Sequence, residues 1–167
     1  MQQFITPGIN EQRIAAKLRL AGIAAAVDGA DKKLVFKMDQ AISVHNGKDI
    51  LIVACGEMVR PALDAALELE KEGISVGVLD MYCIKPLDVD TLLQAAAGVK
   101  AVITMEEHAP FGGLGSMVSQ VIAEHDPKKV VNMALPDAPV ITGSGQEVFD
   151  YYGLNKEGVI KLLKDMV

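Results

Sequence analysis

The sequence has no tryptophan and only two cysteines among its 167 residues. These two, Cys55 and Cys83, are too few for a disulfide framework and lack the spacing of metal ligands. We therefore expect a reducing, cytoplasmic location. No apolar run approaches the roughly 20 residues that a membrane-spanning helix requires. The sequence thus predicts a protein that does not cross a membrane.

Concentrated positive charge is also missing. The chain has 16 Lys and Arg against 22 Asp and Glu, for a net charge of -6 at pH 7, and its basic residues are scattered. A nucleic-acid backbone selects for basic faces, so nucleic acid is excluded as the main partner. Half of the residues are hydrophobic and 23% are charged, which is a globular composition. The length suits one compact domain with a real core.

Two nucleotide-binding motifs are absent as well. The first strong apolar strand is followed by Cys-Gly-Glu-Met at 55–58, with no glycine-rich phosphate loop. The run Gly113-Leu114-Gly115 has Val118 where a dinucleotide fingerprint needs its third glycine. The sequence therefore argues against nicotinamide or flavin binding, and it contains no P-loop.

What the chain does contain is a regular alternation of strands and helices. Strands are predicted at 49–54, 75–79, 101–105 and 130–134, helices at 58–72, 87–97 and 113–124, and two closing helices at 147–152 and 157–166. Gly73 is predicted to end the first of these helices and Asn155 to cap the last. Strands separated by helices imply right-handed crossovers and a mostly parallel sheet with helices on both faces.

The first 34 residues differ in character from the rest. A breaker cluster, Thr6-Pro7-Gly8, precedes apolar residues at helical spacing from about Glu11 onward. Residues 34–37 are a short extended candidate. We expect a helical N-terminal segment over 1–34 and the α/β domain over 35–167.

The stretch AVITMEEHAPFGGLGSMV, residues 101–118, combines a buried strand, an acidic turn with a histidine, and a glycine-rich helix start. In parallel sheets chemistry gathers at the carboxyl ends of the strands. The turns at 55–57, 81–83 and 106–108 are therefore expected along one edge. Glu106, Glu107 and His108 could form an acid/base group. The interpretation that we favour is that these residues anchor the turn by binding backbone amides at the helix start, or that they lie at a subunit contact.

Two further patterns leave alternatives open. Cys55 precedes a helix start, where the helix dipole can lower the pKa of a thiol, and Cys83 follows the neighbouring strand; inert, buried cysteines are the other interpretation. Residues 142–146, Thr-Gly-Ser-Gly-Gln, also precede a helix. Their amides could hold an anion, or the segment is a plain connector.

Five spaced pieces of the sequence, read together, resemble the C-terminal domain of the transketolase family of thiamine-diphosphate enzymes. They are Gly47-Lys48-Asp49, Gly73-Ile74-Ser75, the Ile84-Lys85-Pro86-Leu87-Asp88 turn, the Glu-Glu-His to Gly-Gly-Leu-Gly-Ser corner at 106–116, and Tyr152-Gly153-Leu154. The resemblance covers roughly residues 35–167, and it is strongest to the separately encoded C-terminal half of split transketolases.

This resemblance implies a three-layer α/β fold whose five-stranded, mostly parallel sheet has one antiparallel strand. In the family, one domain holds the diphosphate and magnesium, and a second holds the aminopyrimidine ring with its activating glutamate. The third, which this chain resembles, supplies dimer contacts and support. Because the activating glutamate and the diphosphate motif have no counterpart here, no catalytic, cofactor-binding or metal-binding residue is assigned. Thiamine diphosphate and magnesium are expected only in the complete enzyme.

The implied function is that of an assembly and support domain in an enzyme that transfers two-carbon ketol units between sugar phosphates. Its expected partners are a second copy, in a homodimer, a chain carrying the thiamine-diphosphate-binding domains, or both. The alternative is a non-catalytic anion- or partner-binding module of a 2-oxoacid dehydrogenase-like or deoxyxylulose-phosphate synthase-like complex. The candidate interface or anion site comprises Gly56, Glu57, Glu107, His108, Gly112, Gly113, Gly115 and Ser116.

Overall fold

The computed structural model describes residues 39–166. The predicted N-terminal helix and the extended candidate at 34–37 lie outside these residues. In chain order the elements are β1 (Ile42–His45), β2 (Ile50–Ala54), a 3-10 turn (Gly56–Met58), α1 (Val59–Lys71), β3 (Val76–Asp80), α2 (Val89–Ala96), β4 (Ala101–Met105), α3 (Leu114–His125), β5 (Lys129–Met133), α4 (Gly145–Tyr152) and α5 (Lys156–Lys164).

The five strands form one sheet in the order β1-β3-β2-β4-β5. Strands β2 to β5 run parallel to their neighbours, and β1 pairs antiparallel with β3. The predicted α/β class and the mostly parallel sheet with one antiparallel strand are confirmed.

Each central strand sends alternate side chains into two separate cores, as the period of a strand requires. Ile50 and Ile52 of β2 pack on one face with α1, α4 and α5, while Leu51 and Val53 pack on the other with α2 and α3. The domain is therefore three layers, with helices on both faces. None of the helices within residues 39–166 is both long enough and apolar enough to cross a membrane.

Local capping explains where the helices begin and end. Helix α2 begins at Val89 rather than 87, because the Asp88 carboxylate accepts a hydrogen bond from the Thr91 amide at 3.0 Å. Gly73 follows α1 with a φ of 85°, and Asn155 caps α5 by accepting from the Gly158 amide at 2.8 Å. Both of these predictions are confirmed.

Strand β1 is the element that the sequence pattern missed. It has four residues, of which only Val44 is fully buried, and it lies at one end of the sheet. Its hydrogen-bonding partner is β3, in the register Ile42 with Asp80 and Ser43 with Leu79. A strand this short has almost no periodicity of its own, so its formation depends on the sheet edge that it meets.

Candidate functional site at the carboxyl edge of the sheet

The three turns expected at one edge do lie side by side. Ala54, the last residue of β2, is in register with Asp80 on β3 and with Met105 on β4. Across this edge the Met81 amide donates to the Ala54 carbonyl at 2.8 Å, and the Cys55 amide donates to the Met105 carbonyl at 3.2 Å. The prediction is confirmed, and the edge carries the candidate site.

Glu106 is the central group of this edge. Only 1% of the residue is exposed. Its two carboxylate oxygens accept hydrogen bonds of 2.7 Å from the backbone amides of Leu114 and Gly115, at the start of α3. A helix start has unpaired amides and a partial positive charge, and the carboxylate satisfies both. The interpretation of Glu106 as a structural anchor is confirmed.

The glycines of the corner allow this contact. A Cβ on Gly113 would overlap the carboxylate of Glu106, and one on Gly115 would lie 2.7 Å from the side chain of Asn132 on β5. Asn132 itself accepts a hydrogen bond from the Thr104 hydroxyl at 3.0 Å. The two glycines therefore let α3 approach both β4 and β5 closely.

Ser116 fixes the loop that precedes α3. Its hydroxyl donates to the Pro110 carbonyl at 2.8 Å and accepts from the Gly112 amide at 3.0 Å. At the other end of the loop the His108 carbonyl accepts from the Leu135 amide at 3.0 Å. Residues 106–113, which we call the Phe111 loop, are thus held by hydrogen bonds along their length.

The remaining candidate residues are exposed to solvent. Glu107 and Gly112 are exposed, as are Gly56 and Glu57 at the end of β2. The side chain of His108 is 59% exposed, and its Nδ1 lies 4.0 Å from the Glu106 carboxylate. The buried half of the corner is therefore structural, and its outer half is available to other molecules.

Cys55 does not have the activated thiol that a helix start can produce. Its pKa is raised from 9.0 to about 12 by burial and by the nearby carboxylates of Glu106, Asp80 and Glu107. The thiol is protonated at neutral pH and is a poor nucleophile. The suggestion of a lowered pKa is wrong, because the thiol is buried and its charged neighbours are carboxylates rather than cations.

Asp80 is a buried acid that sequence reasoning did not single out. The residue is 3% exposed, and its Oδ1 has no hydrogen-bond partner among the described residues. Burial raises the pKa of its carboxyl from 3.8 to about 7, since a charged carboxylate is poorly solvated there. The sequence signal was available: an acidic residue closes the apolar run VGVLD at the functional edge.

In the segment 142–146, a carboxylate of the chain itself lies at the helix start where an anion would bind. Ser144 caps α4 by accepting from the Glu147 amide, and the Glu147 carboxylate accepts from the Ser144 amide at 2.8 Å. This reciprocal arrangement is a capping box. A negative side chain already occupies the helix start, which disfavours an anion there.

Glu57 lines an open cleft of about 330 Å³ between the start of α1 and helices α4 and α5. The two cations in its wall each lie against a carboxylate of the same wall: Arg60 against Asp64 at 2.9 Å, and Lys156 against Glu157 at 3.4 Å. Because the wall's own carboxylates balance these cations, the cleft does not favour a phosphate.

A family model described as the transketolase C-terminal domain matches residues 39–159 of this sequence. The chain belongs to the transketolase C-terminal domain family. This finding confirms the resemblance seen in the Glu-Glu-His and Gly-Gly-Leu-Gly-Ser corner.

This transketolase C-terminal domain is similar in sequence to one part of several longer proteins. It is 41% identical over 132 residues to a subunit of the apulose-4-phosphate transketolase of Phocaeicola vulgatus, matching 79% of this chain and 42% of that protein. It is 39% identical over 118 residues to the 1-deoxy-D-xylulose-5-phosphate synthase of Halothermothrix orenii, matching 70% of this chain and 19% of that protein. The chain thus spans less than half the length of either relative.

Two solved structures of transketolases have the same fold over most of this chain. A structure described as a split gene transketolase, an inactive beta4 tetramer, superimposes with a TM-score of 0.71 at 37% identity, covering 80% of this chain and 43% of that one. A transketolase mutant from Pichia stipitis superimposes with a TM-score of 0.57 at 22% identity, covering 75% of this chain and 17% of that one. The second likeness concerns the fold alone.

Replacing Gly113 with alanine should destabilise this transketolase C-terminal domain. The new Cβ would overlap the Glu106 carboxylate, so either the carboxylate leaves the amides of α3 or the helix shifts. We expect a loss of about 2 kcal/mol or more in the free energy of unfolding, measured with urea. The matched control is Gly145→Ala, whose Cβ would make an ordinary contact 3.7 Å from the ring of Phe149. Equal stability of the Gly113→Ala variant and the wild type would contradict the anchoring role of Glu106.

Replacing Asp80 with asparagine should change how stability depends on pH. Folding raises the pKa of this carboxyl from 3.8 to about 7, so its stabilising contribution is complete below pH 3.8 and is lost as the pH rises through 7. The free energy of unfolding of the Asp80→Asn variant, relative to that of the wild type, should therefore rise by about 2 to 3 kcal/mol between about pH 5 and about pH 8.

Urea unfolding at both pH values measures this gain. Asp137→Asn, at an exposed position, is the matched control and should show no such gain. A constant difference between Asp80→Asn and wild type across the range would mean that Asp80 is ionised in the folded protein.

Proposed function

We propose that this chain is the C-terminal assembly and support domain of a thiamine-diphosphate-dependent, transketolase-like enzyme that acts in the cytoplasm. The complete enzyme transfers two-carbon ketol units between sugar phosphates, and this chain is not catalytic by itself. Support comes from membership of the transketolase C-terminal domain family and from the 41% identity to one subunit of a transketolase.

The observation that carries this proposal is the occupied helix start at the carboxyl edge. A diphosphate needs free amides or cations, but the Glu106 carboxylate already binds the amides of Leu114 and Gly115. Burial, and after it the nearby acidic groups of Glu106, Asp80 and Glu107, raises the pKa of the Cys55 thiol, so acidic groups lie around Cys55 at this edge. Within residues 39–166 no three His, Cys, Asp or Glu side chains are grouped as a metal site requires. The residues do not fit thiamine diphosphate with magnesium.

The proposal assigns cofactor binding to a partner chain and self-association to this one. In that assembly the outer half of the corner, with Glu107, His108 and Gly112, faces another subunit. The similarity to a chain described as a beta4 tetramer supports self-association. An anion site at the same corner is less favoured, because an anion would have to displace Glu106 from α3.

A deoxyxylulose-phosphate synthase-like complex is the second candidate for the whole enzyme. The 39% identity to such a synthase from Halothermothrix orenii favours it. The same support role applies there, since the carboxyl edge is equally closed to phosphates. The two candidates differ in the reaction of the complete enzyme, so assaying the reconstituted complex for ketol transfer and for synthase activity separates them.

The chain alone should not bind thiamine diphosphate in the presence of magnesium. Isothermal titration of the purified full chain should show no binding heat, and no ketol transfer from xylulose 5-phosphate to ribose 5-phosphate should be detected. Adding a chain that carries the thiamine-diphosphate-binding domains should restore both signals. Saturable binding or ketol transfer by this chain alone would refute the proposal.

A further inference from the structure

Charge is divided unevenly between the N-terminal segment of this chain and the domain that follows it. Residues 1–38, which lie outside the described part of the chain, carry six Lys and Arg and three Asp and Glu. The remaining 129 residues carry ten and nineteen. The segment is therefore cationic, and the domain is strongly anionic. The two attract each other wherever the domain offers carboxylates on a surface that the segment can reach.

Such carboxylates line a groove between helices α1 and α5. The groove consists of two open clefts, of about 330 Å³ and about 440 Å³, that share Asp64 and Lys156, and we call it the α1–α5 groove. Its walls contain five acidic side chains, Glu57, Asp64, Glu68, Asp150 and Glu157, and three basic ones, Arg60, Lys71 and Lys156. The groove is negative overall, which favours a basic occupant over an acidic one.

Two of these carboxylates have no cation of the domain beside them. Glu57 and Asp150 are exposed, and neither forms an ion pair with another residue in the described part of the chain. Asp150 accepts hydrogen bonds from the neutral side chains of Gln146 and Asn155, at 2.9 and 2.8 Å. The groove also contains an apolar side chain, Leu67, that is 41% exposed. An occupant with cations beside an apolar stripe would complement both features.

The sequence of the N-terminal segment has this combination. Ile14 and Leu18 belong to the apolar stripe of its predicted helix, and Arg13 and Lys17 precede them by one position each. Residues four apart lie on the same face of a helix. The two cations are therefore predicted to form a row beside the apolar row. The pair Asp28-Gly29 is a typical end for such a helix.

The segment joins the domain close to the groove. The Ala41 amide donates to the Asp88 carboxylate at 2.8 Å, and Ile42 pairs with Asp80, the last residue of β3. The chain therefore enters the domain at the carboxyl edge, where Glu57 follows β2. A helix over 11–27 is about 25 Å long, and the residues 28–38 span up to about 35 Å when extended. Both lengths suffice for the helix to lie along the 13-residue α1.

We propose that the α1–α5 groove is a docking surface for the N-terminal segment of the same chain, with Arg13 and Lys17 against the carboxylates of Glu57 and Asp150. A tethered segment has a high effective concentration, so it occupies the groove ahead of a free basic partner. This contact goes beyond the support role proposed above. It gives Glu57, one of the candidate site residues, a contact within the chain, and it fixes the N-terminal segment beside the carboxyl edge.

Hydrogen exchange of the full chain, followed by mass spectrometry, tests the docking. In the wild type the amides of residues 11–27 should exchange at least about tenfold more slowly than those of an unfolded peptide of the same sequence. In the variant E57K/D150K they should exchange about tenfold faster than in the wild type, because repulsion replaces two attractive contacts. The matched control is E124K/D137K, which makes the same change in charge at two exposed acids outside the groove; its exchange should stay within about twofold of wild type.

Exchanging the charges tests the pairing. R13E/K17E should also speed the exchange of the segment. Combining it with E57K/D150K should restore the protection seen in the wild type, since the introduced glutamates then face the introduced lysines. Thermal unfolding of each variant shows whether the domain is folded. If E57K/D150K does not fold, R13E/K17E still decides the question, because it leaves every residue of the domain unchanged.

Three results would overturn the inference in different ways. Rapid exchange of residues 11–27 in the wild type would mean that the segment is not docked. Protection that is equal in the wild type and in folded E57K/D150K, or that the combined variant fails to restore, would mean that these charges do not hold it. Protection that rises with protein concentration would mean that the segment of a second copy fills the groove. The cofactor titration tests the support role separately from all three.

Discussion

The contact between the Glu106 carboxylate and the start of α3 is the constraint on which the carboxyl edge of this domain depends. A charged group that is 1% exposed is strongly destabilising unless it is fully hydrogen bonded. Here the compensation comes from two backbone amides, those of Leu114 and Gly115, at 2.7 Å each. Strand β4 and helix α3 are thereby joined through one side chain. The glycine at 113 follows from this arrangement, because any Cβ there would overlap the carboxylate.

The same contact decides which ligands the edge can accept. In doubly wound folds the carboxyl ends of the strands and the helix starts beside them are the usual places for phosphates. This domain fills that place with its own carboxylate, and further acidic groups lie nearby. Burial together with these acidic groups is why the pKa of the Cys55 thiol rises instead of falling. The helix start at this edge therefore does not offer the Leu114 and Gly115 amides to a phosphate. What remains at the edge is a rigid outer surface suited to protein contacts.

Much of the architecture could be predicted from the sequence, because it follows from local patterns. The five-residue run at 101–105 matches β4 as observed, and the other helices and central strands were predicted to within two residues at most of their ends. The adjacency of the three turns followed from the parallel order of the strands. Strand β1 could not be predicted, because four residues at a sheet edge take their pairing from β3, more than 30 residues away in the chain.

The sequence by itself determined the order of the elements from β2 onward, the end of α1 at Gly73 and the cap of α5 at Asn155, since each follows from residues close together along the chain. The family followed from five short motifs spaced along the chain. Only the tertiary structure decided that Asp80 is buried without a partner for Oδ1 and that Phe111 is exposed. Burial is set by which distant elements pack over a side chain. A residue's own neighbours in sequence do not contain that information.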